Sequence, residues 1–253
     1  MPTWLEAGLW GLLGGGALVL GALVAWFVRV SQVVIAGVMA FGSGVLVSAV
    51  AFDLMTEAAD TGGIAPAALG FVGGALAYLG ANIVLARRGA KHRKRSGTVP
   101  DETMPSEEQA AGSGAAIAIG ALLDGIPESV VLGIGLLSGG TVSASVLAAV
   151  FISNVPEGLS SAAGMKKSGR SARYVFGVWI GIAVISGFSA LIGYVALGDA
   201  PPELIAVITA VAAGAILTMV ADTMIPEAFE KTVLWTGLIT SLGFLVAFAI
   251  DRA

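Results

Sequence analysis

Eight long apolar runs, separated by short polar or glycine-rich breaks, leave this chain few ways to fold. Crossing roughly 30 Å of hydrocarbon takes about 20 helical residues. Runs of that length fall at about 4–28, 32–57, 65–86, 113–137, 142–164, 174–198, 203–227 and 233–250. Arg29-Val30-Ser31, Thr61-Gly62-Gly63, Ser138-Gly139-Gly140, the Gly198-to-Pro202 turn and Lys231-Thr232 punctuate them. Charged residues make up only 12% of the 253, too few to cover a soluble domain of this length. The pattern predicts an all-α integral membrane protein of eight transmembrane helices, with 1–253 as one transmembrane domain. The 36 glycines sit inside the apolar runs without a period of three, which excludes collagen and predicts close helix–helix approach. Cysteine is absent, so there is no disulfide framework, thiolate metal site or cysteine nucleophile.

The basic residues test this map independently. Arg29 follows the first run, and Arg87, Arg88, Lys91, Arg93, Lys94 and Arg95 follow the third. Lys166, Lys167, Arg170 and Arg173 follow the fifth, and Lys231 follows the seventh. All but one of the 13 Lys and Arg thus lie on odd-numbered loops, the exception being Arg252. The positive-inside rule then places those loops in the cytoplasm and both termini outside. No basic n-region precedes the first run, whose only early charge is Glu6, so a cleaved signal is not expected. The polar stretch 87–112 reads as a mobile cytoplasmic loop, and His92, the only histidine, as a solvated residue within it.

Acids inside the runs point to chemistry. Asp53 and Glu57 lie in the second, Asp124 and Glu128 in the fourth, Glu157 in the fifth, and Asp222 and Glu227 in the seventh. An acid in hydrocarbon costs several kcal/mol and faces the bundle interior or a wet cavity. No Lys, Arg or His stands inside the runs to neutralise these seven, so a bound cation is the economical partner. Asp124 and Glu128, at i and i+4, share one helix face; Asn154 and Glu157, at i and i+3, share another. Pro127 and Pro156 each precede a glutamate and free a carbonyl about four residues upstream. Oxygen donors of this kind suit a hard cation.

The acidic segments also repeat. Asp124-Gly-Ile-Pro-Glu-Ser129 matches Ser153-Asn-Val-Pro-Glu-Gly158, and Asp53-Leu-Met-Thr-Glu57-Ala matches Asp222-Thr-Met-Ile-Pro-Glu227-Ala. In the topology above the matching runs point in opposite directions, the mark of an inverted repeat. Asp53 and Glu57 then form an outer mouth, Asp124, Glu128, Asn154 and Glu157 a central site, and Asp222 and Glu227 an inner exit.

At these motifs the chain resembles the ZIP (Zrt/Irt-like) family of divalent metal transporters over nearly its whole length. That family has eight spans, outside termini, a variable cytoplasmic loop after span three, and proline-containing metal motifs in spans four and five. The resemblance implies ligand roles for Glu128, Asn154 and Glu157. Asp124 and Ser153 stand at histidine positions, and Gly125 offers no side chain. An all-oxygen set suits Mn²⁺ or Mg²⁺ better than Zn²⁺, although Zn²⁺ accepts carboxylates. The implied activity is transport of a divalent metal (Zn²⁺, Mn²⁺, Fe²⁺ or Cd²⁺) toward the cytoplasm, as substrate rather than cofactor, by a non-enzyme. The implied partners are the lipid bilayer and a second copy of the chain, with no nucleic acid, and the composition fits a prokaryotic inner membrane.

Three other readings compete. An intramembrane aspartyl hydrolase lacks its Gly-x-Gly-Asp motif, and a lipid-phosphate hydrolase lacks a cation within the spans to hold phosphate. A proton- or sodium-coupled carrier of an organic cation calls for aromatic faces near the central acids, where the nearest in sequence is Phe151. A non-transporting relative accounts for the missing histidines.

Overall fold

The computed structural model describes residues 1–85, 87, 113–137 and 142–252. Among these the chain is helical throughout, without strands. Helices α1 (Thr3–Phe27), α2 (Gln32–Gly62), α3 (Ile64–Leu85), α4 (Ser113–Gly135), α5 (Ala144–Lys167), α6 (Ala172–Leu197), α7 (Pro202–Thr232) and α8 (Thr236–Asp251) follow the eight apolar runs. Among the described residues six of them, α1, α2, α3, α5, α6 and α7, are long and apolar enough to cross a membrane; α8 is apolar but has 16 residues. The expected cytoplasmic loop, apart from Arg87, lies outside the described residues, and so does His92.

Local sequence explains where most helices begin and end. The side chains of Ser31, Ser143 and Ser171 accept the backbone N–H groups of Val34, Val146 and Tyr174, capping α2, α5 and α6. α7 starts with Pro202, whose missing N–H is no loss in a first turn. α2 runs past Glu57 to Gly62 and stops where Gly63 takes φ 88°. α7 likewise continues past Glu227 to Thr232, which delays the start of α8 to Thr236. Both helices thus continue beyond the apolar runs that end at 57 and 227, because helix runs on through polar residues that an apolar count leaves out.

The irregularities are not at the prolines. α4 and α5 run through Pro127 and Pro156 as uninterrupted helix. Instead α2 widens into a π segment at Ala49–Leu54 and α7 into another at Val220–Met224. Laying Glu57 on Glu227 brings the two into register, Val50–Leu54 over Val220–Met224. Single-turn π segments inside α-helices often mark functional sites.

Two sets of helices pack most intimately. In the first, α1 lies along α5 and α6, and α4 along α6; in the second, α3 lies along α7 and α2 along α8. Glycines make these approaches possible, because a Cβ at Gly21 would collide with Val155 O, at Gly158 with Leu18 O, and at Gly133 with Ala190 O. In the second set the same holds for Gly44 against Thr240 O, Gly243 against Phe41 O, Gly74 against Val211 O and Gly214 against Phe71 O. The sets meet mainly through α2 against α5 and α4 against α7, while α2 and α7 also pack together inside the second set. Between the sets the fit is looser: a Cβ at Gly42 would stand 3.2 Å from Ser153 Cα. Small residues at such contacts let helix backbones approach and interlock by dispersion.

Candidate cation-binding site

α4 and α5 carry their polar residues near mid-length, so both motifs fall deep in the bundle. Asp124, Glu128, Asn154 and Glu157 are exposed by only 2, 1, 3 and 2%. Tyr78 of α3 donates its hydroxyl proton to Asp124 Oδ1 at 2.5 Å. Asn154 Nδ2 donates to the carbonyl of Gly14 in α1 at 3.1 Å, leaving its amide oxygen as the acceptor end. Ser153 is fully buried but donates back to Val150 O in its own helix at 3.0 Å. Ser129 does the same to Gly125 O at 2.6 Å.

These bonds hold the expected ligands toward different neighbours, Asp124 toward α3 and Asn154 toward α1. Among the described residues no three His, Cys, Asp or Glu side chains come together as a group able to hold a metal ion. What the fold brings together is smaller: two acids on one face of α4, and Asn154 with Glu157 on one face of α5. Side-chain and backbone oxygens from serine and the proline-freed turns remain the available complement.

The acids of α2 and α7 have different surroundings. Asp53, in the π segment, accepts from Ser145 Oγ at 2.6 Å and Ser143 Oγ at 3.0 Å. Together with Glu57, Asp60 and Asp251 it lines a cavity of about 300 Å³ bounded on the other side by Val131, Leu132 and Val146. Sequence reasoning found Asp53 and Glu57 here and missed Asp60 and Asp251, which lie at the polar ends of their helices and read as ordinary surface acids. In α7, Glu227 is 7% exposed and accepts a short bond from Ser160 of α5. Asp222 is exposed instead. The expected inner pair is therefore split: the extra residue of the π turn rotates Asp222 off the face that carries Glu227. The hydroxyl partners Tyr78, Ser143, Ser145 and Ser160 were not anticipated, since each meets its carboxylate 46 or more residues away in sequence.

Tyr78 gives this geometry a direct test. Hydrogen bonds to charged groups contribute about 1.5–3 kcal/mol. Tyr78→Phe keeps the ring and removes the donor, and should lower stability by about that amount in chemical unfolding of the detergent-solubilised protein. An unchanged unfolding midpoint would remove the bond from the account of how Asp124 is held.

No protein-family model matches the chain, and no curated protein matches it. The functional reading therefore rests on the residues themselves.

Proposed function

We propose that the chain is a membrane carrier of a divalent metal cation, related to the ZIP transporters it resembles at its proline motifs. The observation that carries this reading is the burial of Asp124, Glu128 and Glu157 in the middle of apolar helices whose interiors contain no Lys, Arg or His. Buried charges are tolerated when paired or when they coordinate a metal, and a positive ion among them offsets their desolvation. Six of the seven acids, all but Asp222, then form a path with Asn154. Asp53 and Glu57 line its outer mouth, Asp124, Glu128, Asn154 and Glu157 its centre, and Glu227 its inner end.

An inverted repeat underlies the path in this reading, with α1 to α3 corresponding to α6 to α8 and α4 to α5. The paired π segments support it, and so do the reciprocal glycine contacts. Gly44 on α8 matches Gly214 on α3, and Gly74 on α7 matches Gly243 on α2. Eight crossings with both termini outside follow from the cation distribution, in a prokaryotic inner membrane. Interlocked packing inside each helix set, and the looser fit between sets, suit rocking of one set against the other as the route to alternating access. Oxygen-only donors favour Mn²⁺ or Fe²⁺ beside Zn²⁺ and Cd²⁺, and the resemblance adds a homodimer.

Uptake of Zn²⁺, Mn²⁺, Fe²⁺, Cd²⁺ and Mg²⁺ into proteoliposomes tests the proposal. Saturable uptake of at least one, competed by the others in rank order, is the expected result. Folded protein that moves none of the five would overturn it.

A further inference from the structure

We infer that Ser160 is a positioning residue whose hydroxyl, through Glu227, latches the last half-helix of α7 onto α5 and so holds one end of the cation path closed. The inference rests on reading the acids as a path, and three observations carry it. Ser160 is fully buried, Glu227 nearly so, and the bond from Ser160 Oγ to Glu227 Oε1 joins residues 67 apart in sequence. It therefore fastens one helix set to the other at a boundary where the backbones approach less closely than within each set. Ser160 also stands three residues after Glu157 on α5, on the same face, so the latch lies one turn beyond the central acids.

The third observation is what the latch restrains. Glu227 sits on the half-helix Ile225–Thr232, which begins where the π segment Val220–Met224 ends. A π turn is an irregular part of a helix, and Pro226 withholds an N–H from the carbonyls of that preceding turn. The half-helix is therefore attached to the rest of α7 by its least regular turn, and Ser160 supplies a fixed point on its far side. A divalent cation chelated by both Glu227 oxygens takes Oε1 from the Ser160 hydroxyl. Arrival of the ion at this end of the path and release of the half-helix are then one event.

The absence of cysteine makes the test clean, because one introduced thiol is the only one present. Ser161→Cys, beside the latch and 3% exposed, reports opening there; Thr209→Cys, 1% exposed in the upper part of α7, reports general loosening. In full-length protein reconstituted into proteoliposomes, Ser160→Ala should speed labelling of Cys introduced at Ser161 at least tenfold and leave the Thr209 reporter slow. Glu227→Leu should do the same, and the two changes combined should be no faster than either alone. An unchanged rate at the Ser161 reporter, additive effects in the double variant, or equal acceleration at Thr209 would each overturn the latch. Added Mn²⁺ should speed the Ser161 reporter when Ser160 is intact. Acceleration by Ser160→Ala without any response to Mn²⁺ would leave the latch standing and defeat the metal reading instead.

Discussion

Glu128→Gln is expected to lower divalent-cation uptake by at least about 100-fold, equivalent to roughly 2.7 kcal/mol. Gln keeps the length and planar end of the side chain and removes only its charge. Glu128 is 1% exposed and lies on the face of α4 it shares with Asp124. Two unit charges about 4 Å apart interact by roughly 4 kcal/mol at an effective dielectric of 20, and a divalent ion doubles this. Much of that attraction is offset by stripping water from the ion, which leaves the 100-fold figure well within reach. The same substitution keeps the shape and the hydrogen-bonding atoms of the side chain, so the variant should unfold at a temperature close to the parent's. Loss of uptake from protein of undiminished stability separates a ligand role from a folding role. Uptake at the parental rate would mean that Glu128 does not touch the ion.

Neighbouring glycines on α3 should have opposite fates. A Cβ at Gly74 would collide with the carbonyl oxygen of Val211, whereas at Gly73 nothing lies within 4 Å. Gly74→Leu forces α3 away from α7 along a contact made by backbone, which has no rotamer to yield. Overpacking typically costs about 1–3 kcal/mol when side chains can shift, so a loss of about 3 kcal/mol or failure to fold is expected here. Gly73→Leu points outward and should lie within about 0.5 kcal/mol of the parent. Thermal unfolding of both variants in one detergent reads the difference directly. Equal stabilities would refute the close α3–α7 approach, and with it one of the reciprocal contacts on which the repeat depends.

How much of this could be read beforehand depends on which physical signal was available. The eight helices were legible because apolar length is a coarse property, insensitive to neighbours. Pro127 and Pro156 drew attention to freed carbonyls in α4 and α5, yet the irregular turns fall in the π segments of α2 and α7, neither of which contains a proline. A weak hint lay in Asp222, which stands five residues before its glutamate where Asp53 stands four before Glu57. Burial of the central acids followed from the sequence, but their partners did not. Helices that are apolar all round carry no face signal, so nothing along the chain says that Tyr78 turns toward Asp124 or that Asp222 turns outward. Hydroxyls such as Ser145 and Ser160 are common in apolar helices and acquire meaning only across a contact.

The Asn154 amide has a consequence for the total charge at the heart of the bundle. Its nitrogen is committed to the Gly14 carbonyl, an oxygen that would repel a second oxygen placed opposite it. Aspartate, though nearly the same size, is therefore a poor replacement at this position. The main chain of α1 in effect vetoes a fourth negative charge beside Asp124, Glu128 and Glu157. In the proposed path, three carboxylates met in turn by a doubly charged ion carry one charge more than it offsets. A fourth would hold the ion more tightly and surrender it more slowly. For the proposed carrier, a neutral donor at position 154 favours turnover over retention, and the choice is enforced by a residue with no side chain of its own.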